Sequence, residues 1–227
     1  MHIAVIHGQH HKGSTWHVAQ MLADALRQPG DTVAAFYVND LSPCAGCFAC
    51  ITRDETLCPH RAAVGPIIEA IEAADLVVAA SPNYCMGMSG QLKILCDHMA
   101  YRWMSHRPHP SMKRKIGVAI ATTAGVGAGT AAKQIARQMF WWGMARTYRL
   151  PFAVAAMGWT GVKDSKKAAL AKRVNRAAAR IRKAAGKARP GIKSKFMFNM
   201  MRAQQKGNRW NPADRAHWVK NGWIREK

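Results

Sequence analysis

Short apolar runs that stop at Gly, Pro, Ser or Asp alternate along the chain with longer stretches whose apolar residues recur every three or four positions. Runs of the first kind read as strands, and stretches of the second kind as helices. Five strands follow: Ile3–Ile6, Val33–Val38, Leu76–Ala80, Ile116–Thr122 and about Leu150–Ala156. Four are rich in Val, Ile and Ala, as strands covered on both faces tend to be. The second is more mixed and suits a sheet edge. Helices are expected at Ser14–Leu26, capped by Ser14 or Thr15, and at Ile67–Ala74, Gln91–Met104, Thr130–Met144 and Asp164–Lys187. The last carries Leu170, Val174, Ala177 and Ile181 as one stripe among Lys and Arg, so one face can cover a sheet while the other stays solvated. Strict alternation implies an α/β fold with a doubly wound, five-stranded parallel sheet, for which 2-1-3-4-5 is a common strand order.

Residues 1–187 form this domain, and residues 188–227 read as a basic helical extension. Arg189-Pro190-Gly191 ends the preceding helix, Phe196–Met201 suggests a short apolar helix, and Asn211-Pro212-Ala213-Asp214 is a helix start. Trp218 and Trp223 are placed to anchor it. Charge is unevenly placed along the chain. Of the formal net charge of +22, residues 163–227 carry +17, with 20 Lys/Arg against 3 Asp/Glu. Such a tail can attract nucleic acid, an anionic membrane or the phosphates of NADPH. No nucleic-acid module accompanies it, and the Lys193–Arg202 stretch is read as packing across a homodimer in preference to lying on a membrane. The start of the chain has no secretory pattern, and its apolar runs are too short to span a bilayer, so a soluble cytoplasmic protein is expected.

Three loops carry candidate chemistry. After the first strand, Gly8-Gln9-His10-His11-Lys12-Gly13-Ser14-Thr15 brings backbone N–H groups and two hydroxyls to the positive end of a helix, which makes an anion site. Its spacing is neither that of a triphosphate loop nor of a dinucleotide fingerprint, so a monophosphate fits better; an ordinary capped helix is the competing reading. Loops at the carboxyl ends of strands three and four should face it. The first of these, Ser81 to Lys93, has Pro82 at its exit and Gly87 and Gly90 allowing close approach, so a flat ring can rest there. The second, Thr123 to Gly129, offers backbone donors with little side-chain obstruction.

Taken in order, the phosphate loop, a cysteine loop, Ser81-Pro82-x-Tyr84, Met88-Ser89-Gly90-Gln91-Leu92-Lys93 with Asp97, and the glycine-rich fourth loop resemble the NAD(P)H-dependent FMN reductases. That family and its relatives have a flavodoxin-like fold, and the resemblance spans residues 1 to about 160. Ser194–Trp223 also looks like the basic, Trp-containing ending of one branch. The resemblance implies phosphate contacts from Gln9, His11, Ser14 and Thr15. It implies ring contacts from Pro82, Asn83, Tyr84 and Met86, with Thr123 and Gly125 at the far edge of the ring. Many relatives carry Ser and Arg where Gln9 and His11 stand, which implies fewer permanent charges here and weaker FMN binding as pH rises. The activity implied is transfer of reducing equivalents from NAD(P)H through FMN to a small-molecule or protein acceptor, with no catalytic side chain required.

Six cysteines in a chain read as intracellular suit ligand or redox chemistry better than a disulfide framework. Cys44-x2-Cys47-x2-Cys50-x7-Cys58-Pro59 has the shape of a bacterial ferredoxin motif. It also resembles the compact motif of iron–sulfur flavoproteins, which implies a [4Fe–4S] cluster acting as a one-electron relay. Zinc is an alternative, and so is no metal at all, because flavin reductases often carry Gly-Cys-x-x-Cys at this place. Cys85 reads as packed in a turn and Cys96 as core. His7, His10, His11 and His17 read as loop and helix histidines in preference to metal ligands. Three classes remain open: an FMN oxidoreductase, an electron carrier or redox sensor centred on the cysteines, and a basic nucleic-acid or membrane module without flavin.

Overall fold

A computed structural model describes residues 1–226. The parallel strands are β1 (His2–His7), β2 (Thr32–Tyr37), β3 (Leu76–Tyr84), β5 (Ile116–Thr123) and β6 (Arg146–Ala153), in the order β2-β1-β3-β5-β6. A two-residue strand, β4 (Gly87–Met88), folds back antiparallel on the end of β3. Apart from this hairpin strand the order is the expected one. The helices are α1 (Ser14–Leu26), α2 (Ala49–Thr52), α3 (Arg61–Ala73), α4 (Gly90–His98), α5 (Ala128–Trp141), α6 (Asp164–Ala184), α7 (Ile192–Lys206) and α8 (Pro212–Lys220).

Side chains alternate across a strand, so each central strand feeds two cores. Ile3, Val5, Val78, Val118 and Ile120 face α1 and α6, where Val18, Leu22, Leu26, Leu170, Val174 and Ile181 meet them. Ala4, Ile6, Val77, Ala79 and Ala119 face the opposite layer, built from Ile68 and Ile71 of α3, Leu92 and Leu95 of α4, and Ile135 and Met139 of α5. Each fully buried Leu or Ile contributes about 1.5–3 kcal/mol of transfer free energy, which is why the continuous apolar runs fix the sheet. Lys115, buried at the start of β5, donates to the carbonyls of Glu72 (2.8 Å) and Ala74 at the negative end of α3.

Several boundaries differ from the sequence expectation. α3 starts six residues before Ile67, because Pro66 sits one turn inside it and removes only the donor to the exposed Ala62 carbonyl. The expected Gln91–Met104 helix ends at His98 and tightens into a 3-10 turn at Ala100–Arg102. There the Tyr101 ring is buried with the Arg102 and Arg107 guanidinium groups 4.7 and 5.7 Å from its centre, and Arg102 binds Glu72 (2.5 Å) and Glu55 (3.1 Å). β6 begins four residues before Leu150. It is an edge strand, and Arg146 and Arg149 are exposed along it.

In the extension, α7 is much longer than Phe196–Met201. Its inner face packs Met201 and Phe198 against Trp218, which is fully buried, with Trp223 beside them. Asn211 caps α8, its side chain accepting from the Asp214 N–H at 3.1 Å. Asp214 is wholly buried and binds Arg107 (3.0 Å) and His106 (2.7 Å). Arg107 in turn reaches Glu55 (3.3 Å) and donates to the carbonyls of Ile51 (2.9 Å) and Cys50. Asn211 Nδ2 donates to the same Ile51 carbonyl at 2.9 Å. The extension therefore holds the backbone of the cysteine loop through one buried polar network.

Removing one partner of a buried ion pair leaves an uncompensated charge and costs about 3–5 kcal/mol. Urea unfolding of Asp214→Ala should show a loss of that size, whereas a loss under about 1 kcal/mol would mean that the network is solvated. Acid should weaken the fold as well. Burial lowers the His7, His109 and His217 imidazoles below 6.5. A lowered folded pKa means that the unfolded chain binds more protons, so this stability is complete above 6.5 and falls away as pH drops through the folded values. Chemical denaturation at stepped pH should therefore weaken from neutrality downward, before any carboxylate titrates; a flat profile would contradict the burial of these rings.

Candidate functional site

The exits of β1, β3 and β5 meet at one end of the sheet. Gly8 lies against β3: its N–H donates to the Ala80 carbonyl at 2.8 Å, and its carbonyl accepts from Ser89 Oγ at 2.7 Å. A Cβ at position 8 would fall 2.8 Å from Ser89 Oγ, 3.0 Å from the Ala80 oxygen and 3.1 Å from Leu92 Cβ, so the approach requires glycine. Ser89 N–H donates to Ser81 Oγ (2.7 Å), and Ser89 Oγ caps α4. The loops after β1 and β3 are thereby joined at their roots.

Gly13, and not Ser14 or Thr15, is the N-cap of α1, and it makes no side-chain capping bond. The expected hydroxyl cap is thus corrected, because Thr15 is buried and its hydroxyl pairs with Thr122 on β5 at 2.6 Å. Without a side-chain cap, the first N–H groups of α1 remain available at the positive end of the helix dipole. The His11 ring folds over Gly13, lying 2.9 Å from the position a Cβ would take there. Gln9 Nε2 donates to the His11 carbonyl (3.4 Å), while Gln9 Oε1 accepts from the Tyr84 hydroxyl (3.3 Å). Lys12 lies 5.3 Å over the Trp16 ring, and His7 stacks on Tyr37 at 4.8 Å.

Beyond Tyr84, Cys85 and Met86 form the turn into β4 with φ of 49° and 63°. Two consecutive left-handed residues that are not glycine cost on the order of 1–2 kcal/mol each, strain of the kind found at ligand clamps. Tyr84 and Met86 are half exposed there, and Pro82 is buried. Asn83 Nδ2 donates to the Val126 carbonyl at 3.1 Å, and Thr123 Oγ1 donates to the same oxygen at 2.8 Å. Asn83 Oδ1 is buried with no partner. Gly127 has φ of 95°, and a Cβ there would strike Asn83 Nδ2 at 2.6 Å and Met86 Sδ at 2.8 Å; Gly125 faces open space. The fold thus gathers Gln9, His11, Ser14 and Thr15 on one loop, Pro82, Asn83, Tyr84 and Met86 on the next, and Thr123 and Gly125 on the third. Thr122 and Gln134, whose side chain accepts from the Met88 N–H at 3.0 Å, were not legible as part of this arrangement.

The cysteine loop lies beside it. Cys44 and Cys47 are exposed, whereas Cys50 and Cys58 are half-buried. Burial pushes the Cys50 thiol up to about 11, and the neighbouring Cys58, Cys44 and Cys47 add to the shift, while Arg107 opposes it. His98 closes the loop, with Nε2 2.9 Å from the Ser42 carbonyl and Nδ1 3.9 Å from Cys58 Sγ. Among the described residues, no group of three or more His, Cys, Asp or Glu side chains is disposed to hold a metal ion. Cys85, expected to be packed, is exposed, because the left-handed turn points it outward; Cys96 is core as expected, its thiol pushed up to about 12 by burial.

Among the described residues, no helix is long and apolar enough to cross a membrane. An iron–sulfur flavoprotein of Archaeoglobus fulgidus is 29% identical over 157 residues, covering 66% of this chain and 68% of that protein. One from Methanosarcina thermophila is 30% identical over 124 residues, covering 53% of this chain and 62% of that protein. The solved NAD(P)H:quinone oxidoreductase of Methanothermobacter marburgensis superposes with a TM-score of 0.59 at 16% identity, over 80% of this chain and 96% of that one. An FMN-dependent NADH-azoreductase of Bacillus anthracis, solved in complex with FMN, superposes with a TM-score of 0.57 at 13% identity, over 80% of this chain and all of that one. These two share the flavodoxin-like fold. The family described as NADPH-dependent FMN reductase matches residues 1–160, and the chain belongs to that family of oxidoreductases.

Proposed function

We propose that residues 1–187 bind FMN across the three loops and that the chain, as a homodimer, passes reducing equivalents from NAD(P)H to an acceptor. The acceptor is a quinone, a metal complex, a nitro or azo compound, or a partner protein. The observation that carries this reading is the uncapped start of α1, facing loops that are cross-linked to it by Thr15–Thr122 and Gln9–Tyr84. The residues present suit a flavin phosphate. Open N–H groups at a helix start favour a dianion, and the partnerless Asn83 Oδ1 is an acceptor for a ring N–H. Ser14 and the first-turn N–H groups hold the phosphate, with Gln9 and His11 over it. Tyr84 and Met86 bear on the ring from one side, and the backbone at Thr123 and Gly125 meets its edge. Bound there, FMN supplies the hydride and electron chemistry. The protein's part is to orient the ring and leave one face open.

A second reading rests on the neighbouring thiols of Cys44, Cys47, Cys50 and Cys58 and on the relatives named iron–sulfur flavoproteins. In it the loop holds a [4Fe–4S] cluster, and the protein works as an electron carrier or redox sensor. Zinc in the same thiolates is the lesser alternative. The absorption spectrum of anaerobically purified protein, with iron and sulfide analysis, separates these readings.

A hydrogen bond to a charged group contributes about 1.5–3 kcal/mol, so Ser14→Ala should weaken FMN binding by roughly tenfold or more. Fluorescence quenching titrations measure this, and riboflavin should bind the unaltered protein correspondingly poorly. Equal affinity for FMN and riboflavin would move the phosphate elsewhere. Gly8→Ala should cost both stability and FMN affinity, because it pushes the roots of two loops apart. NADPH should bleach the flavin bands of the reconstituted protein; a chain that cannot be reconstituted with FMN would sink the proposal.

A further inference from the structure

The extension leaves one surface unexplained. α7 buries Met201 and Phe198 inward, yet Ile192, Phe196 and Met200, four residues apart, point outward with 90%, 66% and 43% of their surface exposed. A row of large apolar side chains along the solvent face of a 15-residue helix is not what a solvated surface requires. Cations flank the row. Lys195 and Lys206 lie exposed on one side, and on the other Lys193 leans over the Phe140 ring at 5.5 Å. From Ser165 to Ala213 the sequence holds 15 Lys/Arg and no Asp or Glu. Among the described residues, the cations of α7 have no carboxylate partner; Arg202 spends its guanidinium on the Trp223 carbonyl at 2.5 Å.

We propose that the outer face of α7 docks on an anionic phospholipid surface, with Ile192, Phe196 and Met200 entering the headgroup boundary and the flanking lysines meeting lipid phosphates. Apolar insertion and cationic attraction on one helix are the two terms that hold an interfacial helix to a bilayer, and each Lys or Arg near such a surface adds to the attraction. Charge argues against a second copy of this chain as the occupant, contrary to the homodimer packing expected of Lys193–Arg202, and so leaves the homodimer contact to another face. Two α7 faces, each flanked by cations that have no carboxylate partner among the described residues, repel one another, whereas an anionic bilayer complements both the charge and the apolar row. A nucleic acid would meet the charge and leave the apolar row in water.

The test is cosedimentation of the full chain with vesicles of phosphatidylcholine containing about one-third phosphatidylglycerol, against phosphatidylcholine alone. Binding to the anionic vesicles is expected, falling as salt is raised to roughly 0.5 M. The pair Phe196→Ser and Met200→Ser keeps the net charge and should lower partitioning about tenfold or more, because the apolar term is lost. Circular dichroism and the melting temperature should stay unchanged, since neither side chain packs inward. Lys195→Gln with Lys206→Gln should weaken binding and flatten its salt dependence. Unchanged vesicle binding by the serine pair would overturn the proposal in favour of a charge-only surface. Binding to duplex DNA but not to vesicles would overturn it too, as would dissociation of a dimer by the serine pair with no vesicle binding by either protein.

Discussion

The functional face depends on the contact of Gly8 with the end of β3. Two hydrogen bonds fix the first residue after β1 against Ala80 and Ser89, at a spacing that no side chain at position 8 would allow beside Ser89, Ala80 and Leu92. Because β1 and β3 are parallel neighbours in the middle of the sheet, their exits emerge on the same side, and the Gly8 contact locks the two loops that follow at their roots. The Thr15–Thr122 pair then ties α1 to β5, and Gln9 and Asn83 carry the coupling outward to Tyr84 and Val126. What results is a helix N-terminus with open donors, facing a strained hairpin and a glycine-rich turn. Each part alone is commonplace, and their cross-linking gives the site its shape.

A second constraint sits beside the first. The cysteine loop buries little of its own apolar surface: Ala49 is buried and Ile51 packs on the core, whereas Phe48 and Leu57 are exposed. Its backbone is held from beneath by Arg107 and Asn211, and Arg107 is held by Asp214 of the extension. A buried ion pair with every partner satisfied adds little net stability over apolar packing, but it fixes geometry and is costly to break. The extension thus acts as a strut for a segment about 160 residues earlier in the chain, whatever those thiols carry.

Much of the fold was legible because β1, β3 and β5 are continuous apolar runs between turn residues, and such runs have few other ways to be buried. β6 was read only in its second half, since an edge strand tolerates Arg146 and Arg149 and so hides its period. The Gln91–Met104 helix was read too long, because its apolar residues continue past His98 while buried ion pairs around Arg102 turn the backbone. The loops of the site could be picked out by their glycines and their place after strands. Their cross-links could not: Thr122 and Gln134 look like ordinary strand and helix residues until the fold brings them to Thr15 and Met88. α7 shows the same limit, because sequence gives an apolar stretch but not which of its residues face outward.

The measurement that bears most directly on the account is a crystal structure of the chain grown with FMN. The phosphate should lie at the start of α1, within hydrogen-bond distance of the Ser14 and Thr15 N–H groups, with the ring between Tyr84 and the Thr123–Gly125 turn and an N–H directed at Asn83 Oδ1. A phosphate bound away from α1, or a ring seated outside the three loops, would contradict it.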